Sequence, residues 1–491
     1  MPPSSSKPQR YRAAPPDPHT MSEADKAAAR SRKRTIALRD EPRDEVNVAR
    51  KLRRRELCRR GNFAFNRNRA AEKFRNFKLL GELDAYKGEV KHLKLHFLRK
   101  RTKIVEIVAA GEVLFGLTHT GVCAAFNRVT QRRICFLNVT PDEVIRSLFY
   151  NKTNQSLITV SVYRYDNFSS LRCRSTPVEY ILRNKPGAGF ELFTTESLRW
   201  PGFVEFDDVN SKVLTYSAAN KVYKVWDLVN YGLLYALSDE NITEIKISPG
   251  IMLLIFAHKK NDEGAEDGAA ETEAVPLKIL NIEDGRVMKA FEHPLIPGQK
   301  VDFIEQFNEK LLVKQEHQNL QIVDVRSADT QEVNKHTFET PSAFIFLYEN
   351  QLFLTFRGRT VQVWNFRGQL VTRFKDHTLW HPDCNTNNIY ITSQQDLIIS
   401  YCKSRIPGTG PGLSGAGPPT RYQGSINVSS ILTGQCLAKV LDKTPPLPRA
   451  ERKKKKKKKN ALEDVTALFY NEERNEIYTG NKSGLIHIWG N

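Results

Sequence analysis

Long apolar runs are missing from the 491-residue sequence: the longest, "IMLLIFA" at 251–257, falls far short of the ~20 residues that a membrane-spanning helix needs. The opening "MPPSSSKPQRYRAAPPDPHT" contains no apolar core, so it is not expected to act as a secretory signal. Cysteine is sparse. The seven thiols (58, 123, 135, 173, 384, 402 and 436) are odd in number, scattered, and never spaced Cys-x-x-Cys, a pattern expected of reduced thiols in an intracellular protein. No Gly-x-Ser-x-Gly elbow, P-loop or dinucleotide fingerprint is present, and the glycines at 408–417 alternate with proline without the Lys-Ser/Thr ending that holds phosphates. Acidic pairs such as Asp207-Asp208 follow "FVEF" and read as a turn. Nothing nominates catalytic residues, so the chain is expected to be no enzyme and to carry no cofactor.

One short stretch resembles a metal site. "HTLWHPDC" (377–384) gathers His377, His381, Asp383 and Cys384, but Pro382 argues against two histidines on one helix face. No second Cys/His cluster supplies the rest of a four-ligand set. No metal is expected there.

Positive charge is abundant but uneven. The chain carries a net +20, and residues 1–103 hold 29 Lys and Arg against 12 Asp and Glu, a net +17. Eight more positive charges sit in "RKKKKKKK" at 452–459. The basicity therefore belongs to an arm and one loop. Within the arm, residues 1–60 read as a disordered basic tail, rich at first in Pro, Ser and Ala. Its clusters "SRKR" (Arg32, Lys33, Arg34) and "ARKLRRRELCRR" (Arg53, Arg54, Arg55, Arg59, Arg60) are candidate nuclear-import or nucleic-acid contacts, or simply a solvated charge run.

Residues 61–90 read as a short amphipathic helix region, because Phe74, Phe77, Leu80 and Leu83 recur every three residues among Ala, Glu, Lys and Arg. Phe63, Phe65, Phe74 and Phe77 lie among arginines. They could stack on bases, although docking of the helix onto the folded body is the preferred role.

From residue 91 the texture is all-β: short runs of Val, Ile, Thr, Phe and Tyr separated by turn residues. The stretch "NKVYKVWDLVNYG" (220–232) has relatives in "GRTVQVWNFRGQLVTRF" (358–374) and "KSGLIHIWGN" (482–491), with fainter copies elsewhere. Equivalent positions fall near 126, about 180, 226, 280, 323, 364, 429 and 489. The poorest match is "PVEYIL" at 177–182. Intervals longer than the ~40–45 residues of a four-stranded blade coincide with loop-like insertions at 261–273, 405–423 and 443–462.

On the residues Trp226-Asp227, Trp364-Asn365 and Trp489, each ending a candidate third strand, the chain resembles the WD40-repeat (transducin-like) β-propeller family. The arm joined to such repeats also resembles an uncharacterised plant-type transducin-like group. The resemblance implies an all-β WD40-like propeller of seven or eight four-stranded blades over 91–491, with eight preferred. Its ring would close when "HLKLHFL" (92–98) supplies the outermost strand of the last blade. No Gly-His dipeptide starts the blades, so the family's Asp-His-Ser/Thr-Trp tetrad is not expected to be complete. Each Trp is expected to pack between blades, with its polar neighbour ending a strand.

These observations favour a non-enzymatic interaction scaffold, in the nucleus rather than the cytoplasm, that binds protein partners on its faces and no membrane. One alternative is a protein that binds RNA or DNA through residues 1–103. Another is a substrate receptor of a cullin-4 type ubiquitin ligase. Such receptors carry a Trp-Asp-x-Arg box, to which "VWNFR" (Arg367) and "IVDVR" (Arg326) are degenerate matches. The nucleic-acid alternative predicts that a fragment spanning 1–103 binds RNA or DNA with affinity falling steeply as salt rises. Absence of binding at low salt excludes it.

Overall fold

The computed structural model describes residues 71–87, 101–238, 240–257, 259–260, 273–374, 379, 388–405, 422–442 and 460–491. The chain divides into two compact units, Met1–Asn68 and Arg69–Asn491, and the described residues all belong to the second. The expected basic tail with Arg32, Lys33, Arg34, Arg53, Arg54, Arg55, Arg59 and Arg60 lies outside them, as do His377, His381, Asp383 and Cys384.

Alternating apolar residues and frequent turns produce eight antiparallel sheets, each built on four strands. The first blade comprises Ile104–Ala110, Val113–Thr118, Cys123–Asn127 and Arg132–Phe136. The next six start at Glu143, Phe203, Ile242, Val301, Ala343 and Ile389 and follow the same up-and-down order, the fourth with an extra two-residue strand, Lys259–Lys260. In the eighth, Val465–Asn471, Glu476–Asn481 and Leu485–Gly490 are joined by Lys78–Asp84 on the outside. First strands of neighbouring blades approach one another, which makes them the inner strands, around the axis.

The second strands are buried on both faces because a neighbouring blade covers each face. The core consists of eight clusters, each shared by two consecutive blades. Leu253, Val275 and Ile304 join the fourth to the fifth, Leu312, Ile322, Phe353 and Trp364 the fifth to the sixth, and Ile399, Val428, Tyr470 and Trp489 the seventh to the eighth. A last cluster of Leu83, Ile104, Phe126, Tyr478 and Ile486 joins the eighth back to the first. The fold is thus an all-β propeller of eight blades. No described helix is long and apolar enough to cross a membrane.

The junction between eighth and first blades is densely bonded. Arg128 forks onto Glu476, its Nε donating at 2.6 Å, while the Tyr478 hydroxyl donates to the same carboxylate at 2.7 Å. Thr466 Oγ1 donates to the Ile104 carbonyl at 2.6 Å. Gly480 is needed for this approach, since a Cβ there would fall 2.5 Å from Ile104 Cβ.

Three expectations are corrected. Among the described residues of 68–88, the helical spacing gives only a turn of helix at 71–75, after which Lys78–Asp84 is a strand. Pairing with Leu485–Gly490, which otherwise presents a bare edge, overrides helix propensity, and a bulge between Leu79 and Gly81 sets the register. The ring-closing strand is accordingly Lys78–Asp84, inside the expected helix region, and 92–98 lies outside the described residues. In the second blade, "PVEYIL" is mostly a helix, Val178–Leu182, and the third strand, Arg172–Pro177, ends just before it. The other seven repeat positions fall on third strands as expected.

Phe74 and Phe77 are buried against Tyr470 and the seventh–eighth cluster, so for these two docking holds. A chain starting at residue 71 should therefore melt at the same temperature as the whole protein. One starting at residue 88 loses the outer strand and both phenylalanines, each buried Phe contributing about 3 kcal/mol, and should melt far lower or aggregate. Differential scanning calorimetry of the two truncations checks this.

Candidate functional site

Trp226, Trp364 and Trp489 occupy equivalent positions on third strands, and each indole Nε1 donates to a threonine on the second strand: Thr215 at 2.8 Å, Thr355 at 3.0 Å and Thr479 at 2.8 Å. The polar residue after each of the first two closes a turn instead of facing a ligand. Asp227 Oδ1 accepts from the Val229 amide at 3.0 Å, and Asn365 Oδ1 accepts from Arg367 and Gln369. Asp324 accepts likewise from the Arg326 and Ser327 amides; the Lys310 ammonium at 2.6 Å, and then these amides, hold its carboxyl down at about 2. Arg326 and Arg367 are exposed on corresponding turns of adjacent blades, Arg326 paired with Glu309.

Strand polarity sorts the connections onto two faces. Turns from first to second strand and from third to fourth lie on one face, here the turn face. Connections from second to third strand, and from one blade to the next, lie on the other. The insertions at 261–273, 405–423 and 443–462 all leave from that second face, here the insertion face.

On the insertion face, the second blade displays aromatic side chains to solvent. The loop after Ser156–Tyr163 and the segment leading into the third blade are tied together, with the Trp200 amide donating to the Ser169 carbonyl at 2.8 Å and Leu171 to Leu198 at 2.9 Å. Trp200 is 81% exposed and Tyr165 62%, with Phe168 beside them at 40%. Arg172 lies over the rings of Tyr163 and Tyr165 and accepts a place between them by donating to the Tyr165 hydroxyl at 2.5 Å. Asn167 and Phe168 both have positive φ, 56° and 62°, a conformation disfavoured for a bulky residue such as Phe168.

Around the axis, the eight inner strands carry seven carboxylates against two cations, all on the first five blades. A cavity of ≈ 630 Å³ opens between the inner strands of the third to sixth blades, lined by Glu205, Glu244, Lys246, Asp302, Phe303, Glu305, Gln306, Phe344 and Phe346, and rimmed by Pro341 and Ser342 from the insertion face. Lys246 Nζ bridges Glu244 at 2.6 Å and Glu305 at 2.9 Å. Burial pushes the Glu305 carboxyl up against the pull of Lys246; burial, then Asp207, raises Glu205. Glu205 is exposed to solvent, whereas the Gln306 Oε1 is closed off from it and has no partner. These groups come from four strands spread over more than a hundred residues, and sequence reasoning did not single them out.

Burial pushes the Cys135, Cys173 and Cys402 thiols up to about 12 and raises Cys123 as well, which makes these four poor nucleophiles. Among the described residues no group of His, Cys, Asp and Glu is arranged to hold a metal ion.

Glu106, on the innermost strand of the first blade, accepts the Leu148 amide at 3.3 Å, and burial pushes its carboxyl from 4.5 up to about 7. The folded protein holds that proton more tightly than the unfolded chain. Stability attributable to this group is therefore present below pH ~4.5 and lost as the pH rises towards 7, by about 2–3 kcal/mol. Glu106→Gln should remove this loss, so that urea melts show the variant more stable than the parent at pH 8 and the gap closing below pH 5.

Two solved structures illustrate how far the likeness to known proteins extends. The computationally designed protein Ika8 is 16% identical over 80% of this chain and 97% of its own, with a TM-score of 0.44. BamB from Moraxella catarrhalis is 10% identical over 84% and 98%, with a TM-score of 0.39. Neither likeness is close enough to bear on function, and no curated protein matches. A family profile described as a domain of unknown function, DUF7899, matches residues 62–489, which takes in the ring-closing strand as well as all eight blades, and the chain belongs to that family.

Proposed function

We propose that the protein is a non-enzymatic interaction scaffold of the WD40 type that works in the nucleus and receives protein partners on its insertion face. The observation that carries the reading is the solvent-exposed Trp200, held beside Tyr165 and Phe168 by paired loop backbones. Large aromatic side chains left in water on a rigid surface mark interaction sites, because their burial supplies most of the energy of a protein interface. The Trp-to-Thr hydrogen bonds in three blades support the WD40 reading, since they reproduce the last link of that family's tetrad. The basic arm supports nuclear import, with nucleic-acid contact as its second role.

One affinity-purification experiment separates these roles. Proteins recovered on the whole chain should be lost from a Trp200→Ala, Tyr165→Ala variant if the aromatic surface is the partner site. A chain lacking residues 1–70 should keep those partners but leave the nucleus, and it is the proper comparison because a cut at 90 or 103 removes a propeller strand. An Arg326→Ala, Arg367→Ala variant tests the ligase-adaptor alternative, which is ruled out if the intact protein never recovers the adaptor. Unchanged recovery on the aromatic variant would overturn the proposed surface.

A further inference from the structure

The outermost strands of the blades differ in how their free edges are protected. A sheet edge offers unpaired amide and carbonyl groups to another strand, and charged residues, proline or brevity normally blunt it. Among the described residues, seven of the eight outermost strands carry at least one charge, from Arg132 and Arg133 in the first blade to Glu82 in the eighth. Val287–Leu295 in the fourth adds Pro294. The third blade is the exception. Its outermost strand, Leu233–Ser238, reads LLYALS, six residues with neither charge nor proline. Leu233 is 50% exposed and Leu234 41%, and Ala236 and Ser238 are exposed too.

The next blade leaves an uncovered apolar strip beside this edge. Tyr235 and Leu237 pack against Leu280 and Ile282, and the Tyr235 hydroxyl donates to the Ile282 carbonyl at 2.9 Å. The edge of the third blade therefore lies over the third strand of the fourth, Glu273–Asn281, and Val287–Leu295 lies one strand further out. On that outer strand Lys289 donates to the Val325 carbonyl and His293 meets Gln321 at 3.0 Å, so both face the fifth blade. Alternation turns Met288 and Ala290 towards the third blade, and a bulge opposite Leu280 puts Val287 with them. Val287 is 57% exposed and Met288 62%. A strand added outside Leu233–Ser238 would pair the bare edge and cover this strip together.

We propose that the free edge of the third blade receives an extended segment of a partner protein as a fifth strand, with apolar side chains at the alternate positions that face Met288 and Ala290. Backbone pairing gives such a complex its affinity, and the apolar strip selects the side chains. A second copy of this chain is the other candidate, but each copy carries +20, and like net charge keeps molecules apart. This edge is independent of the Trp200 surface, and either can fail without the other.

The test is a fluorescence-anisotropy titration of a labelled eight-residue peptide, alternating valine and threonine, with the full chain. Its control is the same peptide methylated on every peptide nitrogen, which keeps the side chains and removes the donors. The unmodified peptide should bind and the methylated one should bind at least about tenfold more weakly. A Leu234→Lys, Ala236→Lys chain gives this edge the protection the others have and should also bind about tenfold more weakly. Met288→Glu should weaken binding about threefold, and Leu370→Lys, on the outermost strand of the sixth blade, should leave it unchanged. Thermal melting checks the fold of each variant, and the methylated peptide tests the parent chain whatever the variants do. No binding of the unmodified peptide, equal binding of the methylated one, or an equal loss from Leu370→Lys overturns the proposal. Sedimentation velocity of the parent separates the occupants. A monomer supports a partner segment, whereas a dimer that the double lysine variant dissociates puts a second copy on the edge and overturns the partner assignment.

Discussion

A ring of sheets can exist only if its last sheet finds its first, and every other feature of this molecule follows from how that contact is made. Each blade buries both faces against neighbours, so a missing neighbour would expose two apolar surfaces at once. The eighth blade meets the first through Leu83, Ile104, Tyr478 and Ile486, and its own outer edge is covered by Lys78–Asp84, drawn from the opposite end of the described chain. Pairing distant segments within one sheet costs chain entropy that only a completed ring repays. The polar bonds at this junction add direction to the apolar contact. Arg128 forks onto Glu476, and the buried His487, its charged form disfavoured by burial, lies 3.1 Å from Glu82 across the paired strands. Gly480 permits the backbone to come that close.

The parts of this architecture that were legible in the sequence are those where one residue reports on one local structure. Trp226, Trp364 and Trp489 mark third strands because an indole of that size fits at the blade interface and finds a threonine next door. The fainter positions near 126, 280, 323 and 429 were readable because alternation and turn residues carry the same period. The closing strand was not readable. Phe74 and Phe77 are three apart because one docks from a helical turn and the other just past it, and Leu80 and Leu83 continue that spacing by coincidence across the Gly81 bulge. The second blade misled for a related reason: no tryptophan marks its third strand, and the apolar residues at 178–182 belong to a helix. The acidic cavity was illegible in principle. Glu205, Glu244, Glu305 and Gln306 become neighbours only after three blades have stacked.

Net charge illustrates the same limit. A chain of +20 reads as a binder of anions, and the arm and the lysine run at 452–459 account for most of that charge. The described inner strands have the opposite sign. Charge summed over a sequence describes long-range attraction and solubility; charge projected onto a surface decides what binds where. Here the sign of the whole chain differs from the sign of the described inner strands, so the net charge alone says nothing about what that surface attracts.

The two faces of the ring differ in how much conformational freedom they retain. On the turn face, short connections are closed by side chains of the strand ends: Asn127, Asp207, Asp227, Asp324 and Asn365 each accept backbone amides two or more residues on. Such turns leave little room for insertion without losing a hydrogen bond. The insertion face is where the long segments depart and where Trp200 and Tyr165 stand in solvent. Side-chain-closed turns on one side thus hold the blades in register, while the other side carries the longest connections. This asymmetry explains why the clearest repeat residues, Asp227 and Asn365 among them, say so much about architecture and so little about partners: they belong to the face that fastens the ring.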